Sequence, residues 1–116
     1  MKKQVVVVGL GRFGSNVAKA LFQNGHDVLA LDTNERLVQE IMGDVTYAVK
    51  GDATDEAVLR ELAVPNFDAG VVAIGSDLQA NIMVTVLLKT LGVPYVAARA
   101  QNPLHGNTLE RIGADK

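Results

Sequence analysis

Short apolar runs and amphipathic stretches alternate along the whole chain. The run QVVVV at 4–8 is typical of a strand buried on both faces, and the stretch 12–24 repeats apolar side chains at helical spacing. The same alternation predicts further strands at residues 27–31, 45–49, 68–74 and 95–98. It predicts further helices at 34–42, at 54–63, from a cap at Ser76 to about Gly92, and from about Asn102 to Ile112.

Strands that alternate with helices and are joined by short loops predict an α/β domain. Helices then cover both faces of a parallel sheet, and right-handed crossovers leave a doubly wound, Rossmann-like sheet, most simply in strand order 3-2-1-4-5. The length of 116 residues suits a single domain over 1–116. Because the sequence ends at GADK without a sixth strand, we expect it to be the front part of a longer protein.

The composition narrows the function classes. Apolar residues make up 48% and charged residues 21%, with a net charge of −2, which is typical of a soluble globular protein and offers no basic surface for nucleic acid. The lack of cysteine excludes disulfides, a thiol nucleophile and thiolate metal ligands. Since no apolar run is long enough to cross a bilayer, we expect no membrane insertion and a cytoplasmic protein.

A glycine-rich loop lies between the first strand and the first helix. Gly9, Gly11 and Gly14 form G-x-G-x-x-G, and Asp32 ends the second strand about twenty residues later. In this context the glycines allow a sharp turn, approach of a diphosphate and close helix packing, while the carboxylate accepts from a ribose diol and repels a 2′-phosphate. The alternative is a tight turn with a helix-capping aspartate. We expect a nucleotide site that disfavours NADP.

The loop after the third strand, GDATD at 51–55, is expected beside the crevice. Asp52 could accept from an adenine amino group, and the backbone of Ala53 could meet the ring edge. The alternative is that Asp52, Asp55 and Glu56 only complement the dipole of the next helix, and we expect that role for Asp55 and Glu56. The loop AIGSD at 73–77 would close the other side of the crevice.

Five stretches together resemble one family: VVVVGLGRFGSNVAKAL, VLALD, GDATDEAVL, VVAIGSDLQAN and RAQNPLHGNTLERIGADK. They look like the nucleotide-binding N-terminal domain of Trk/Ktr potassium-transport regulators, the KTN, RCK-N or TrkA-N domain. The resemblance implies a regulatory domain that is not an enzyme and that binds ATP/ADP or NAD(H). It also implies homodimers, an octameric ring in the full-length protein, and a membrane potassium-translocating subunit as the partner.

The resemblance also implies roles for single residues. Gly9, Leu10, Gly11 and Gly14 match the phosphate loop, Asp32 the ribose carboxylate, and Asp52 with Ala53 the adenine contact. Arg12 and Arg99 match cations near the ligand phosphates, with a solvated cation as the alternative for each. The full set of predicted binding residues is Gly9, Leu10, Gly11, Arg12, Phe13, Gly14, Asp32, Thr33, Asp52, Ala53, Thr54, Ile74, Gly75 and Arg99.

Two other function classes use the same loop. An NAD-dependent oxidoreductase would place it in a cofactor domain separated here from its substrate domain, and a channel or antiporter would use a related regulatory domain. Hydride transfer needs a proton relay, yet His26 is expected far from the crevice mouth. His105 could lie near the crevice mouth, but the sequence shows no acid or lysine partner for it. Tyr47 and Tyr95 are interpreted as edges of the core. The scattered carboxylates predict no metal site.

The helix after residue 76 is unusually apolar. Ile82, Met83, Val86, Leu87 and Leu91 form one stripe, and Val84 with Leu88 lies on another side. So wide an apolar surface predicts self-association, with a fully buried central helix as the alternative.

Overall fold

The computed structural model describes residues 2–75, 77–99 and 115. Its strands are β1 (Gln4–Val8), β2 (Asp27–Asp32), β3 (Tyr47–Lys50), β4 (Ala69–Val72) and β5 (Tyr95–Ala98). Its helices are α1 (Arg12–Gln23), α2 (Glu35–Ile41), α3 (Glu56–Glu61) and α4 (Leu78–Thr90), and a 3₁₀ turn at Val64–Asn66 follows α3. The predicted last helix and His105 lie outside the described residues.

All neighbouring strands of the sheet are parallel, and their order is β3-β2-β1-β4-β5, which confirms the prediction. The central strand β1 pairs with both β2 and β4, so that Val6 lies opposite Leu29 on one side and Gly70 on the other. Because helices cover both faces at this position, the strand requires apolar residues at every position rather than at alternate ones. Val6 and Val7 are accordingly fully buried.

The sheet separates two apolar cores. One core joins Val6 and Val8 to Leu59 of α3 and Leu88 of α4. The other joins the intervening valines of β1 to Ala18 of α1 and to Val38 and Ile41 of α2. Successive side chains of β1 therefore alternate between the two cores, as strand geometry requires. This arrangement fixes the carboxyl ends of all five strands along one edge.

Glycine ends α1 as the sequence predicts. Gly25 has a φ of +92°, and its N–H donates to the Phe22 carbonyl at 3.0 Å. The following His26 N–H donates to the Leu21 carbonyl at 3.1 Å. These two bonds satisfy carbonyls that the helix leaves without partners, and the left-handed residue between them is one that glycine adopts without strain.

Several predicted boundaries are wrong by a few residues. The third helix begins at Glu56 rather than residue 54, because Asp55 is its N-cap and the preceding residues form a turn. It ends by residue 61, and Ala63, with a φ of +60°, leads into the 3₁₀ turn. The cap of α4 is Asp77, whose side chain accepts from the Ala80 N–H, and not the predicted Ser76.

The two strand tyrosines are more exposed than predicted. Tyr47 begins β3 and Tyr95 begins β5, and these are the two edge strands of the sheet. Their exposed fractions are 66% and 44%, so neither belongs to the core edge as the sequence interpretation had it. An edge strand has a neighbour on one side only, and a residue at its start has few packing partners.

Asp115 lies against the outer edge of β5. Its N–H donates to the Val96 carbonyl, and its carboxylate accepts from the Val96 N–H, each at 2.7 Å. The carboxylate also accepts from Lys89 Nζ at 3.0 Å. The backbone bond from Val96, followed by the bond from Lys89, lowers the pKa of Asp115 below its ordinary value. Both polar backbone groups of Val96 on this edge are thereby satisfied.

Candidate functional site

A cleft of about 770 Å³ opens at the carboxyl ends of the strands. It lies where the strand order reverses between β1 and β4, which is the position at which doubly wound sheets bind ligands. Of the predicted binding residues, all except Gly14 line this cleft. Gly14 is buried behind the loop. The structure thus brings together residues that are up to ninety positions apart in the sequence, as between Gly9 and Arg99.

The three glycines of the loop differ in how strictly the surrounding structure requires glycine. Gly9 has a φ of +97°, and a Cβ on it would lie 2.9 Å from the Ala73 carbonyl group. A Cβ on Gly14 would overlap the Gly9 carbonyl oxygen. A Cβ on Gly11 would meet nothing within 4 Å. Folding therefore requires glycine at Gly9 and Gly14, whereas Gly11 leaves open space at the cleft.

The amino terminus of α1 has no capping side chain. Its N-cap is Gly11, and no acidic residue lies in its first turn. By contrast, α2, α3 and α4 are capped by the side chains of Asn34, Asp55 and Asp77. In the part of the chain that the structure describes, no side chain caps the first N–H groups of α1, which face the cleft. Such a helix end is suited to bind phosphate through its N–H groups and its dipole.

Asp32 is held at the same place by two backbone donors. Its Oδ2 accepts from the Leu10 N–H at 2.7 Å, and its Oδ1 accepts from the Asn34 N–H at 2.8 Å. The first bond ties the end of β2 to the glycine loop. A carboxylate has about four acceptor positions, so both oxygens retain capacity for a ligand hydroxyl. The sequence predicted the position of Asp32 but not its bond to Leu10, which depends on strand pairing.

Asp52 lies at the β3 side of the cleft in a tight hydrogen-bonded turn. Its Oδ1 accepts from the Thr54 hydroxyl at 2.6 Å and from the Thr54 N–H at 2.9 Å. The hydroxyl bond, followed by the backbone bond, lowers the pKa of Asp52 below its ordinary value. The carboxylate is therefore ionised at neutral pH and fixed in orientation. Beside it, Ala53 is buried.

Asp55 and Glu56 serve the helix, as predicted. Asp55 accepts from the Ala57 N–H at 3.0 Å, and Glu56 pairs with Arg60 one turn later at 2.9 Å. Both bonds stabilise α3 locally. Neither residue lines the cleft. The alternative reading of this loop thus holds for these two carboxylates, while Asp52 faces the cleft.

The β4 and β5 side of the cleft carries a cation on an aromatic ring. The guanidinium of Arg99 lies 5.0 Å from the centre of the Phe13 ring, within the range of a cation–π contact. Phe13 is 44% exposed. Arg12, its neighbour in α1, is exposed and also lines the cleft.

Asn81 is a functional candidate that the sequence interpretation missed. It is fully buried in α4, and its Nδ2 donates to the carbonyls of Ile74 at 2.8 Å and Arg99 at 3.2 Å. These bonds connect the ends of β4 and β5 beneath the cleft. Its Oδ1 is buried, and none of the residues that the structure describes supplies it with a hydrogen-bond partner. The available signal was an asparagine at helical spacing from Val84 and Leu88, on the apolar side of α4.

The remaining polar candidates lie elsewhere. His26 accepts from the Lys3 N–H at 3.1 Å and is absent from the cleft lining, which agrees with its predicted remoteness. In the part of the chain that the structure describes, no three His, Cys, Asp or Glu residues cluster as metal ligands would. Nor does any helix there combine the length and apolar character needed to cross a bilayer.

Comparison with known proteins gives a consistent result. The family described as the TrkA-N domain matches residues 5–116. The chain is 48% identical over 115 residues to Ktr system potassium uptake protein C of Bacillus subtilis, covering 99% of this chain and 52% of that protein. It is 46% identical over 114 residues to Ktr system potassium uptake protein A of the same organism, covering 98% and 51%. The chain thus spans about half the length of these relatives.

Solved structures share the fold. The GsuK structure described as bound to ADP superimposes with a TM-score of 0.83 at 18% identity, covering 100% of this chain and 31% of that one. The GsuK channel described as bound to NAD gives a TM-score of 0.84 at 18% identity, covering 100% and 21%. At this identity the likeness establishes the α/β architecture only.

Proposed function

The chain belongs to the TrkA-N domain family, and from that membership we propose that it is the nucleotide-sensing regulatory domain of a potassium uptake system. The observation that carries the proposal is the uncapped amino terminus of α1, which faces a cleft beside the fixed carboxylate of Asp32. The similarity to two Ktr potassium uptake proteins supports the potassium system as the context.

An adenine nucleotide fits the polar groups of the cleft. The diphosphate would lie on the glycine loop and accept from the first N–H groups of α1. Asp32 would accept from both ribose hydroxyls, and the same charge would repel the 2′-phosphate of NADP. Asp52 would accept from the adenine amino group next to Ala53. Each of these groups lines the same cleft, in the order in which the parts of the nucleotide follow one another.

Both ATP/ADP and NAD(H) are ligands of this class. The two GsuK structures, described as bound to ADP and to NAD, support the class. Adenosine and diphosphate are common to both, so Asp32 and the glycine loop would serve either ligand. Arg12, in the first turn of α1, is placed to approach a terminal phosphate.

Regulation rather than catalysis is the expected role. The relatives are named as potassium uptake proteins, in agreement with the prediction of a domain that is not an enzyme. The oxidoreductase alternative would need a proton relay at the cleft. Among the described cleft residues there is no histidine, lysine or tyrosine to serve as one.

Self-association would transmit the signal. Met83 and Val86 on the outer face of α4 are 45% and 38% exposed, whereas Val84 and Leu88 on its inner face are fully buried. We expect the outer face to contribute to a homodimer, and in the full-length protein to an octameric ring beneath a membrane potassium-translocating subunit on the cytoplasmic side. Ligands that differ in charge would favour different dimer geometries through their different contacts with Arg12 and α1.

The nucleotide site is tested by calorimetric titration with ADP, NADH and NADPH. Asp32→Asn keeps the size of the side chain but removes its charge, and we expect ADP affinity to fall by roughly ten- to a hundredfold, as for loss of hydrogen bonds to a charged group. The preference for NADH over NADPH should narrow. Asp44→Asn, an exposed carboxylate away from the cleft, is the control. A folded parent chain that binds none of these nucleotides would reject the proposal.

Sedimentation equilibrium tests the self-association. Met83→Glu places a charge on the exposed face of α4, and we expect it to weaken dimerisation at least tenfold without unfolding the chain. Gln39→Glu, at an exposed position of α2, is the control for added charge. A parent chain that stays monomeric at high concentration would show that this face is not a dimer interface.

A further inference from the structure

Resting on the proposed nucleotide site, we propose that the Arg99–Phe13 pair determines ligand specificity. The pair extends from the end of β5 to the first turn of α1 and makes the domain prefer adenine mononucleotides to dinucleotides. The rest of the cleft suits ADP and NAD equally, because both contain adenosine and a diphosphate. The Arg99–Phe13 pair would then decide between them.

The pair crosses the cleft. Arg99 follows β5, whereas Phe13 lies in the first turn of α1, on the other side of the point where the strand order reverses. Arg99 Nη1 passes 3.7 Å from where a Cβ on Gly75 would lie, so the side chain also covers the loop after β4. From there the guanidinium reaches the Phe13 ring at 5.0 Å. One side chain therefore spans from β5 over the β4 loop to α1.

The position of the pair distinguishes the two ligand classes. A doubly wound sheet consists of two halves that each take one nucleotide, so a dinucleotide extends across the reversal point. Asp32 and Asp52 belong to the β1–β3 half and suit the adenosine. The second nucleoside of NAD would then lie over β4 and β5, where the Arg99 side chain lies. ADP ends at the glycine loop and leaves the pair in contact.

The base of Arg99 is fixed, so a dinucleotide must move the side chain itself. The Arg99 N–H donates to the Val72 carbonyl at 2.9 Å, and its carbonyl accepts from the buried Asn81 at 3.2 Å. By contrast, the guanidinium and the ring are exposed. A cation–π contact at an exposed site is worth about a two- to fivefold difference in affinity. The pair therefore acts as a moderate selector and not as a block.

The test compares the ratio of Kd for NAD to Kd for ADP by calorimetry. We expect the parent chain to bind ADP more tightly than NAD. Phe13→Leu keeps the apolar bulk and removes the ring, and should lower the ratio about two- to fivefold. Arg99→Gln should lower it similarly, and the double variant should lower it no further than the single variants, because the two residues act as one contact. Phe22→Leu, an exposed phenylalanine at the other end of α1, should leave the ratio unchanged.

Three outcomes would overturn the inference. A ratio that Phe13→Leu leaves unchanged or raises, while ADP still binds, would reject the selector and leave the proposed function intact. A fall in ADP affinity alone in Arg99→Gln would identify Arg99 as a phosphate ligand instead. A parent chain that binds neither nucleotide would reject both the inference and the proposed function.

Discussion

On the β1–β3 side of the cleft each carboxylate is held by two hydrogen bonds, whereas on the β4–β5 side a long cation rests on an exposed ring. Asp32 accepts from the loop and from the start of α2, and Asp52 accepts twice from Thr54. Arg99 has a fixed backbone, but its guanidinium has neither a hydrogen bond nor an ion pair with the described residues and contacts the Phe13 ring. The first side is preorganised, and the second can adapt.

We infer from this difference that the β1–β3 and β4–β5 sides of the cleft have separate roles. Groups that are already fixed bind without further loss of side-chain freedom, which suits recognition of the adenosine that all candidate ligands share. A side chain held by a weak contact can change position with the ligand, which suits discrimination and response. A domain that senses nucleotides must bind the shared adenosine in every case and must also respond differently to different ligands.

The largest effect is expected from a substitution that disrupts the glycine loop on the preorganised side of the cleft. Gly14→Ala would force a Cβ onto the Gly9 carbonyl oxygen, and only backbone movement of the loop could relieve the overlap. We expect a loss of about 3 kcal/mol or more in the free energy of unfolding, since this exceeds ordinary overpacking of side chains. Nucleotide binding should be lost with it. Urea unfolding and ADP titration measure the two effects.

Gly11→Ala is the matched control for Gly14→Ala. A Cβ at this position meets nothing within 4 Å, and its φ of −67° is open to alanine. We expect a loss of about 1 kcal/mol or less in the free energy of unfolding, because alanine is a poorer N-cap than glycine but meets no steric overlap here. ADP affinity should still fall, because the methyl group stands where the diphosphate would approach. Equal destabilisation by both alanines would contradict the assigned roles of the glycines.

The strand order and the end of α1 were predicted correctly from the sequence, whereas helix starts and the exposure of two tyrosines were not. The sheet order and the glycine cap of α1 follow from apolar periodicity, from the requirement for a positive φ and from the handedness of crossovers. The predicted starts of α3 and α4 were wrong because the sequence does not show which side chain reaches the first N–H groups of a helix, and here those side chains are Asp55 and Asp77. The exposure of Tyr47 and Tyr95 was missed because each is the first residue of an edge strand, where few neighbouring side chains cover it.

The site was predictable in its residues but not in its contacts. The motif and the resemblance named the residues that line the cleft, because a loop after a parallel strand lies at a known edge of the sheet. The bond from Leu10 to Asp32, the contact of Arg99 with Phe13 and the bonds of Asn81 join elements that are distant in sequence. Their distances depend on how the helices pack, which periodicity does not specify.

Asn81→Ala should have a smaller effect than Gly14→Ala. It tests whether Asn81 fixes the backbone beneath Arg99 on the adaptable side of the cleft. The change removes the donors to the Ile74 and Arg99 carbonyls and leaves them in a largely buried site, so we expect a loss of about 2 kcal/mol in the free energy of unfolding. It also removes the buried Oδ1, to which no described residue donates a hydrogen bond, and this keeps the loss below that of Gly14→Ala. Asn16→Ala, at an exposed position of α1, is the control, and it should be neutral or slightly stabilising. Urea unfolding measures both variants. If the two alanines change the free energy of unfolding equally, then Asn81 does not hold β4 and β5 together. The backbone of Arg99 would in that case not be fixed, and the contrast between the two sides of the cleft would fail.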